Sequence, residues 1–158
     1  MSLEPYFHIE DDTYCYPHSS VLRNIPGIRD QAALSAVEAD ITMLKMMELD
    51  AHPVSGSFDT AHLMLIHRRI FEDIYEWAGE FRTVEISKGI PFCYCANIRA
   101  QLDSLLGDLR DEDCLRDIAD RDVYVSRLAY YLGELNAIHP FREGNGRAQR
   151  KFVQQLAE

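Results

Sequence analysis

The feature of this chain that most restricts its fold is a helical spacing of apolar residues, repeated in five separate segments. Apolar residues three and four positions apart share one face of an α-helix and can be buried together. The five stripes are formed by these residues: Leu34, Val37, Ile41 and Leu44; Leu63, Ile66, Ile70, Ile74 and Trp77; Ile98, Leu102, Leu105 and Leu109; Val125, Leu128, Leu132, Leu135 and Ile138; Phe152, Val153 and Leu156. We therefore predict that the main part of the fold is all-α.

Capping side chains, glycines and prolines interrupt the apolar pattern and predict where the helices begin and end. The predicted boundaries are, in chain order: Arg29 to near Asp50; Ser57 or Asp59 to Gly79; Asn97 to the region of Leu109; the stripe from Val125 to His139; and Gly146 onward. Residues 1–28 contain three prolines and lack such a stripe. We predict that they form an arm packed on a helical domain of residues 29–158.

The period changes from helical to alternating in residues 83–95, TVEISKGIPFCYC. Val84 and Ile86 alternate with polar residues, which is typical of a half-buried strand. Ser87-Lys88-Gly89 supplies the turn. We predict one small β-hairpin here, and because an isolated two-stranded hairpin is marginal in water it needs support from helices or a partner.

Composition limits the partners. The formal net charge is −10, which disfavours binding to nucleic acid and to anionic membranes. No apolar run approaches the roughly 18 residues of a membrane span, and the N-terminus shows no secretory signal. The expected location is the cytoplasm. Four cysteines without a second closely spaced pair give no zinc pattern and are expected to be reduced.

Residues 139–147, HPFREGNGR, connect the fourth and fifth predicted helices. Gly144 and Gly146 allow backbone conformations closed to other residues, and the loop leads into a helix N-terminus, whose free N–H groups attract anions. Asn145 can donate a hydrogen bond from its side-chain amide. Arg147 and Arg150 are three residues apart and lie on one side of the first turn. Two arginines at this position in an acidic chain indicate a polyphosphate ligand.

Two further residues of the loop indicate transfer chemistry rather than anion binding alone. Glu143 would be unusual in a pure anion site, but Mg²⁺ bound to phosphates is commonly held by one or two carboxylates. His139 has a side chain that is neutral near pH 7 and can accept a proton from an attacking hydroxyl. Each residue alone has a structural interpretation: a helix-end histidine, a solvated carboxylate, a turn or a surface arginine. The combination favours a nucleotide site.

The stretch HPFREGNGRAQR, residues 139–150, resembles the Fic motif, HPFx(D/E)GNGRxxR, at every specified position. The resemblance extends upstream to YCYPHSSVLRN (14–24), IHRRIFEDIYEWAGEFRTVEI (66–86) and the IPF of residues 90–92. It implies a helical Fic domain with a β-hairpin flap, residues 83–95, beside the active-site loop. Most Fic proteins are adenylyltransferases that move AMP from ATP to a Tyr, Ser or Thr hydroxyl of a protein and release pyrophosphate.

The resemblance also implies roles for individual residues. By position, His139 is the general base, and Glu143 holds Mg²⁺. Gly144, Asn145 and Gly146 form the anion hole, Arg147 clamps the phosphates and Arg150 reaches the γ-phosphate. The flap, through Ile90, Pro91 and Phe92, pairs with an extended segment of the target protein by strand addition.

Many Fic proteins carry an inhibitory helix with the pattern (S/T)xxxE(G/N). In this chain the only Glu followed by Gly or Asn is Glu143, and His139 stands four residues before it. We therefore expect inhibition by a separate small antitoxin or by a segment beyond Glu158. The resemblance suggests a bacterial toxin or effector, cytoplasmic or translocated into a host cell.

Other functions fit parts of the pattern. Fic-fold relatives with altered motifs transfer phosphate, UMP or phosphocholine, although Gly144 and Gly146 favour AMP. A non-catalytic interaction module would use the hairpin alone, and the complete set of loop residues disfavours it. A DNA-binding helical protein is disfavoured by the charge.

Overall fold

The computed structural model describes residues 11–158, in which five α-helices carry the fold. They are α1 (Gln31–Ala51), α2 (Thr60–Phe71), α3 (Ile98–Asp111), α4 (Arg121–Ile138) and α5 (Asn145–Ala157). Two 3₁₀ turns, Cys95–Asn97 and Asp113–Leu115, precede and follow α3. Aspartates cap three of the helices: the side chains of Asp30, Asp59 and Asp120 each accept a hydrogen bond from a backbone N–H in the first turn.

The second helix is shorter than the sequence predicts. It ends at Phe71 rather than at Gly79, and residues 72–80 continue as a series of tight turns. Ile74 and Trp77 still face the core. The error arises because successive three- and four-residue turns repeat the apolar spacing of a helix, so periodicity alone does not separate the two conformations.

The two predicted strands of the 83–95 segment, which we call the hairpin segment, are also shorter than predicted. Pairing is confined to β1 (Ser87–Lys88) and β2 (Ile90–Pro91), in the antiparallel register Ser87↔Pro91 and Lys88↔Ile90. Gly89, at φ 74°, forms the turn. Pro91 has no N–H to donate to a ladder. Beyond these strands Phe92 N still donates to Ile86 O on the other arm, at 3.2 Å, but the next amide, Cys93 N, donates to Ala137 O of α4.

The core lies where α5 packs against both α2 and α4. Six side chains at this junction are fully buried: Leu63, Ile66, Ile70, Phe141, Ala148 and Phe152. α3 covers α2 and α4 on one side, and α1 packs on α2. The loop between α4 and α5 is thereby held at the centre of the helical assembly by Phe141.

Residues 11–28 pack on the same core. Tyr14, Cys15, Val21 and Leu22 are buried with it, and Cys15 and Leu22 form an isolated antiparallel bridge. The Tyr14 hydroxyl accepts a hydrogen bond from Thr83 N at the start of the hairpin segment. The first ten residues of the predicted arm lie outside the described part. In residues 11–158 no helix has the length and apolarity needed to cross a bilayer.

Candidate active site

The loop predicted at residues 139–147 connects α4 to α5 and is defined by two left-handed residues. His139, the C-cap of α4, lies at φ 51° and ψ 63°, and Gly144, the N-cap of α5, lies at φ 78° and ψ 9°. A non-glycine residue in this region costs about 1–2 kcal/mol and is found where its surroundings over-determine it. The loop is therefore bounded by two residues in the left-handed conformation, and the other predicted site residues lie between and just after them.

The His139 ring has a defined orientation. Its Nδ1 lies 3.3 Å from Asn136 O, and because a carbonyl only accepts, Nδ1 carries the hydrogen of the neutral ring. Nε2 then has a free lone pair and no hydrogen-bond partner in residues 11–158. The Phe92 ring stacks on the imidazole with centroids 3.8 Å apart and planes 10° apart.

The surroundings of His139 keep the imidazole neutral. Burial lowers the pKa of His139 to about 4, and the positive charges of Arg82 and Lys88 act in the same direction. The neutral ring, with Nε2 unprotonated, is the form that a general base requires.

The N-terminus of α5 offers free backbone donors. The N–H groups of Asn145, Gly146 and Arg147 have no acceptor among residues 11–158 and belong to the first turn, where a helix has no internal partner for them. The Gly144 N–H is taken by the Glu143 carboxylate at 2.9 Å. Three amides therefore point toward an open helix end that suits an anion.

The Asn145 side chain bonds within the loop itself. Its Oδ1 accepts from Phe141 N at 2.9 Å and its Nδ2 donates to Phe141 O at 2.7 Å. The side chain is buried, and both of its polar atoms hold the loop closed. The backbone N–H of Asn145 and the second hydrogen of Nδ2 are the donors that these bonds leave unused.

Arg147 is held by α1. Its guanidinium donates to Glu38 Oε1 at 2.5 Å and to Thr42 Oγ1 at 3.1 Å, and it lies 4.7 Å from the centre of the Phe71 ring. The Tyr75 hydroxyl donates to the other oxygen of Glu38. Sequence reasoning missed Glu38, Thr42 and Tyr75, because nothing in their local pattern distinguishes them from other residues of their segments.

Arg150 differs from Arg147 in having no ion pair with any residue between 11 and 158. Its side chain is exposed and folds back toward the helix N-terminus, where a Cβ built on Gly146 would lie 3.0 Å from Arg150 Nη1. An unpaired guanidinium beside free amides adds positive charge at the place where the helix dipole already favours an anion.

Glu143 is the carboxylate that fits a magnesium site. It is half-buried, and its Oε1 also lies 3.7 Å from Arg147 Nη2. No cluster of three metal-ligating side chains occurs in residues 11–158. A single carboxylate at a phosphate site agrees with Mg²⁺, which commonly takes one or two protein carboxylates, substrate phosphates and water.

His67 of α2 supports the loop from behind and was also missed. Gly79 N donates to its Nδ1 at 2.9 Å, so Nε2 carries the hydrogen and donates to Glu143 O, also at 2.9 Å. The ring stacks on Phe141 with centroids 3.8 Å apart. The side chain is fully buried, and burial lowers the pKa of His67 to about 4.

We expect His67→Gln to flatten the dependence of stability on pH. The unfolded chain binds a proton to this histidine near pH 6.5 and the folded chain only near pH 4, so protonation favours unfolding. The stabilisation is complete above pH 6.5 and is lost as the pH falls toward 4, by about 3 kcal/mol. Urea unfolding of both proteins from pH 7.5 to 4 measures this, and parallel curves would contradict it.

The three predicted docking residues of the hairpin segment have different surroundings. Ile90 is 78% exposed and Pro91 is also exposed. Phe92 is half-buried against His139. The structure brings Phe92 to His139 and leaves the tip of the hairpin in solvent.

Comparison with known proteins gives consistent relatives. The Fic/DOC family model matches residues 57–157. The chain is 42% identical to the protein adenylyltransferase VbhT of Bartonella schoenbuchensis over 93% of its own length, but it spans only 31% of that relative. It is 39% identical to the probable protein adenylyltransferase Fic of Escherichia coli, over 92% of this chain and 72% of the relative.

Solved structures agree with the sequence comparisons. The crystal structure of the Bartonella tribocorum effector BepC with bound AMPPNP matches with a TM-score of 0.85 and 26% identity, over 95% of this chain and 79% of that one. An ADP-bound N-terminal Fic domain from Bartonella quintana matches with a TM-score of 0.84 and 30% identity, over 90% and 74%. The chain belongs to the Fic/DOC family.

Proposed function

We propose that this chain transfers AMP from ATP to a Tyr, Ser or Thr hydroxyl of a target protein and releases pyrophosphate. The observation that carries the proposal is a neutral His139 with a free Nε2 on the loop that leads into the open N-terminus of α5. The relatives named protein adenylyltransferases support it, as do the relatives solved with AMPPNP or ADP.

In this proposal His139 acts on the target hydroxyl. Nε2 removes the proton as the oxygen attacks the α-phosphorus of ATP. A new oxygen–phosphorus bond forms, the bond from the α-phosphorus to the bridging oxygen breaks, and pyrophosphate leaves with that oxygen. The amides of Asn145, Gly146 and Arg147 donate to phosphate oxygens, where negative charge has to be stabilised.

The arginines and Glu143 complete the phosphate site. Arg147 clamps the phosphate chain from its fixed position against α1, and Arg150 is free to reach the γ-phosphate. Glu143 would hold Mg²⁺, which when bound neutralises phosphate charge. Turning the Glu143 carboxylate toward such a ligand would release the Gly144 N–H as a further donor.

The hairpin segment is the proposed docking element for the target. Ile90 and Pro91 are exposed and form β2, one strand of a two-residue ladder to which an extended segment can add. Phe92, stacked on His139, places the end of that docking surface at the base. A segment bound along the hairpin would therefore bring its hydroxyl toward Nε2.

Regulation and location follow the resemblance. We propose that an inhibitory helix is supplied by a small antitoxin or by a segment beyond Glu158, because the motif is complete while the inhibitory pattern is not found in these 158 residues. The proposed location is the bacterial cytoplasm, with translocation into a host as the alternative, since BepC is described as a VirB-translocated effector.

The test of the function is the fate of each phosphate of ATP. The protein is incubated with Mg²⁺ and a bacterial lysate, once with ATP labelled at the α-phosphate and once at the γ-phosphate. AMP transfer labels a protein band with the α-label alone. A band that depends on the added protein and is labelled from the γ-position alone would assign phosphate transfer instead, and no such band from either label, in bacterial or host-cell lysates, would contradict AMP transfer.

The pH dependence of transfer offers an independent check on His139. Because the neutral imidazole is the active form and its pKa in the free protein is about 4, kcat/KM should remain flat on the acid side down to about pH 5. Bound triphosphate adds negative charge that raises the pKa, so the acid limb of kcat should lie at higher pH. An acid limb of kcat/KM near pH 6.5 would contradict the structure.

A further inference from the structure

Arg82, at the start of the hairpin segment, is a buried charge that neither the motif nor the proposed mechanism uses. Its side chain is 0% exposed. The nearest carboxylate, Glu85, is half-exposed and lies 3.5 Å from Arg82 Nη1. Removing a guanidinium from water is unfavourable unless its N–H groups are bonded, so the partners of Arg82 indicate what the residue is for.

The five N–H groups of the guanidinium meet acceptors from two separate parts of the chain. On one side, Nε donates to His139 O at 2.8 Å and Nη2 to Ile138 O at 3.3 Å. On the other, Nη2 donates to Cys93 O at 2.5 Å and Nη1 to Val84 O at 3.0 Å. Nη1 also lies 3.1 Å from Cys95 Sγ.

The first group of contacts fixes His139, the proposed general base. Ile138 and His139 form the C-terminal end of α4, where carbonyls lack helical partners and the dipole favours a cation. The backbone N–H of Arg82 adds a bond to Pro140 O at 2.9 Å. Three consecutive carbonyls around the left-handed His139 are thus held by one residue, which sets the direction in which the imidazole leaves the backbone.

The second group fixes the hairpin segment. Val84 and Cys93 lie on its outgoing and returning arms, and Arg82 bonds the carbonyls of both. Glu85 also links the two arms where they meet the helices, because it accepts hydrogen bonds from Cys95 N, at 3.0 Å, and from Arg82. One guanidinium therefore bonds both arms and the end of α4, beside the separate bonds from Cys95 N to Glu85 and from Cys93 N to Ala137 O.

We propose that Arg82 is a positioning residue that holds His139 and the target-docking hairpin segment in one fixed relation. The catalytic consequence rests on the proposed AMP transfer. The positional consequence is that one side chain couples His139 to the hairpin segment. It does not rest on the proposed transfer and can be measured without turnover.

Arg82→Lys is the informative substitution, since an ammonium keeps the charge but has three donors on one atom and cannot span both groups of acceptors. Hydrogen exchange at the Phe92 and Cys93 amides should become at least about tenfold faster, which reports local opening of the hairpin. The ¹⁵N signals of the His139 ring, assigned with a His139→Ala variant, should shift. If the wild type transfers AMP, kcat should fall and KM for the target should rise, with the Kd for ATP within about twofold.

Arg127→Lys is the matched control. Arg127 bonds Glu112 and the Tyr131 hydroxyl through its guanidinium, away from the loop. Arg127→Lys should lower the melting temperature and leave the amide exchange of Phe92 and Cys93 and the ring signals of His139 unchanged. If it alters them as Arg82→Lys does, the effect is general loosening and the proposal is wrong.

Glu85→Ala keeps the proposal testable if Arg82→Lys does not fold. It removes contacts only at the hairpin base, so the hairpin amides should exchange faster while the His139 signals stay in place. A folded Arg82→Lys protein with unchanged exchange and unchanged His139 signals would overturn the proposal, as would a shift of the His139 signals in Glu85→Ala, in which every Arg82 bond to the end of α4 remains. Absence of AMP transfer by the wild type would contradict the proposed function and leave these measurements intact.

Discussion

Replacing His139 by alanine is expected to lower AMP transfer by roughly 10²- to 10⁴-fold, the usual contribution of a general base. The substitution removes the free Nε2 and leaves the α5 amides and both arginines in place. ATP affinity should therefore change by less than about twofold. Transfer rates and equilibrium ATP binding, measured on the same preparations, separate the two effects.

The backbone at position 139 calls for a second variant. His139 lies at φ 51°, where asparagine is tolerated better than alanine. His139→Asn should preserve the loop and lose transfer equally, because an amide is not a base. His52→Ala, at an exposed histidine beyond α1, is the control that should behave as the wild type. Transfer at the normal rate in either position-139 variant would contradict the assignment of the base.

Gly144→Ala is expected to have the largest effect on stability. A Cβ built at this position would lie 2.1 Å from Phe71 Cζ, and the residue is at φ 78°, a conformation that alanine adopts with strain. Left-handed strain of about 1–2 kcal/mol and overpacking of about 1–3 kcal/mol together give a loss of roughly 2–5 kcal/mol. Any folded fraction should also bind ATP less tightly, because the first turn of α5 starts at Gly144.

Substitutions at two other glycines separate the cost of backbone strain from the cost of overpacking. Gly89 has φ 74° but no atom within 4 Å of the position that an added Cβ would take, so Gly89→Ala should cost about 1–2 kcal/mol from strain alone. Gly133, inside α4, has neither feature, and Gly133→Ala should stabilise by about 0.5–1 kcal/mol. Urea unfolding ranks the three variants. A cost at Gly144 no greater than at Gly89 would show that Phe71 moves aside freely and that its packing does not restrain the loop.

Much of the fold was predictable because local rules decide it. The five apolar stripes gave five helices, and Asp59 caps α2 as one of the two predicted residues. α5 begins at Asn145, one residue before the predicted Gly146. Helix caps and amphipathic faces depend on residues that are close in the sequence, so they can be predicted from a single sequence.

The parts that were missed depend on contacts between distant residues. Arg147 is held by Glu38, 109 positions away, and the Glu143 carbonyl by His67, 76 positions away. Arg82 bonds the His139 carbonyl across 57 positions. The bonds between the Asn145 side chain and Phe141 were likewise not predicted, because they depend on the folded loop. Local pattern predicted the residues that we propose to face a ligand, and the residues that hold them could be identified only from the structure.

Peptide mass spectrometry of the modified target tests the central claim most directly. A target recovered after incubation with the protein, ATP and Mg²⁺ is digested, and the mass added to each Tyr, Ser and Thr peptide is measured beside a His139→Ala reaction. We expect one added AMP on a hydroxyl side chain, absent in the variant. An added phosphate, or an AMP adduct that persists undiminished in His139→Ala, would contradict the proposed transfer and its base.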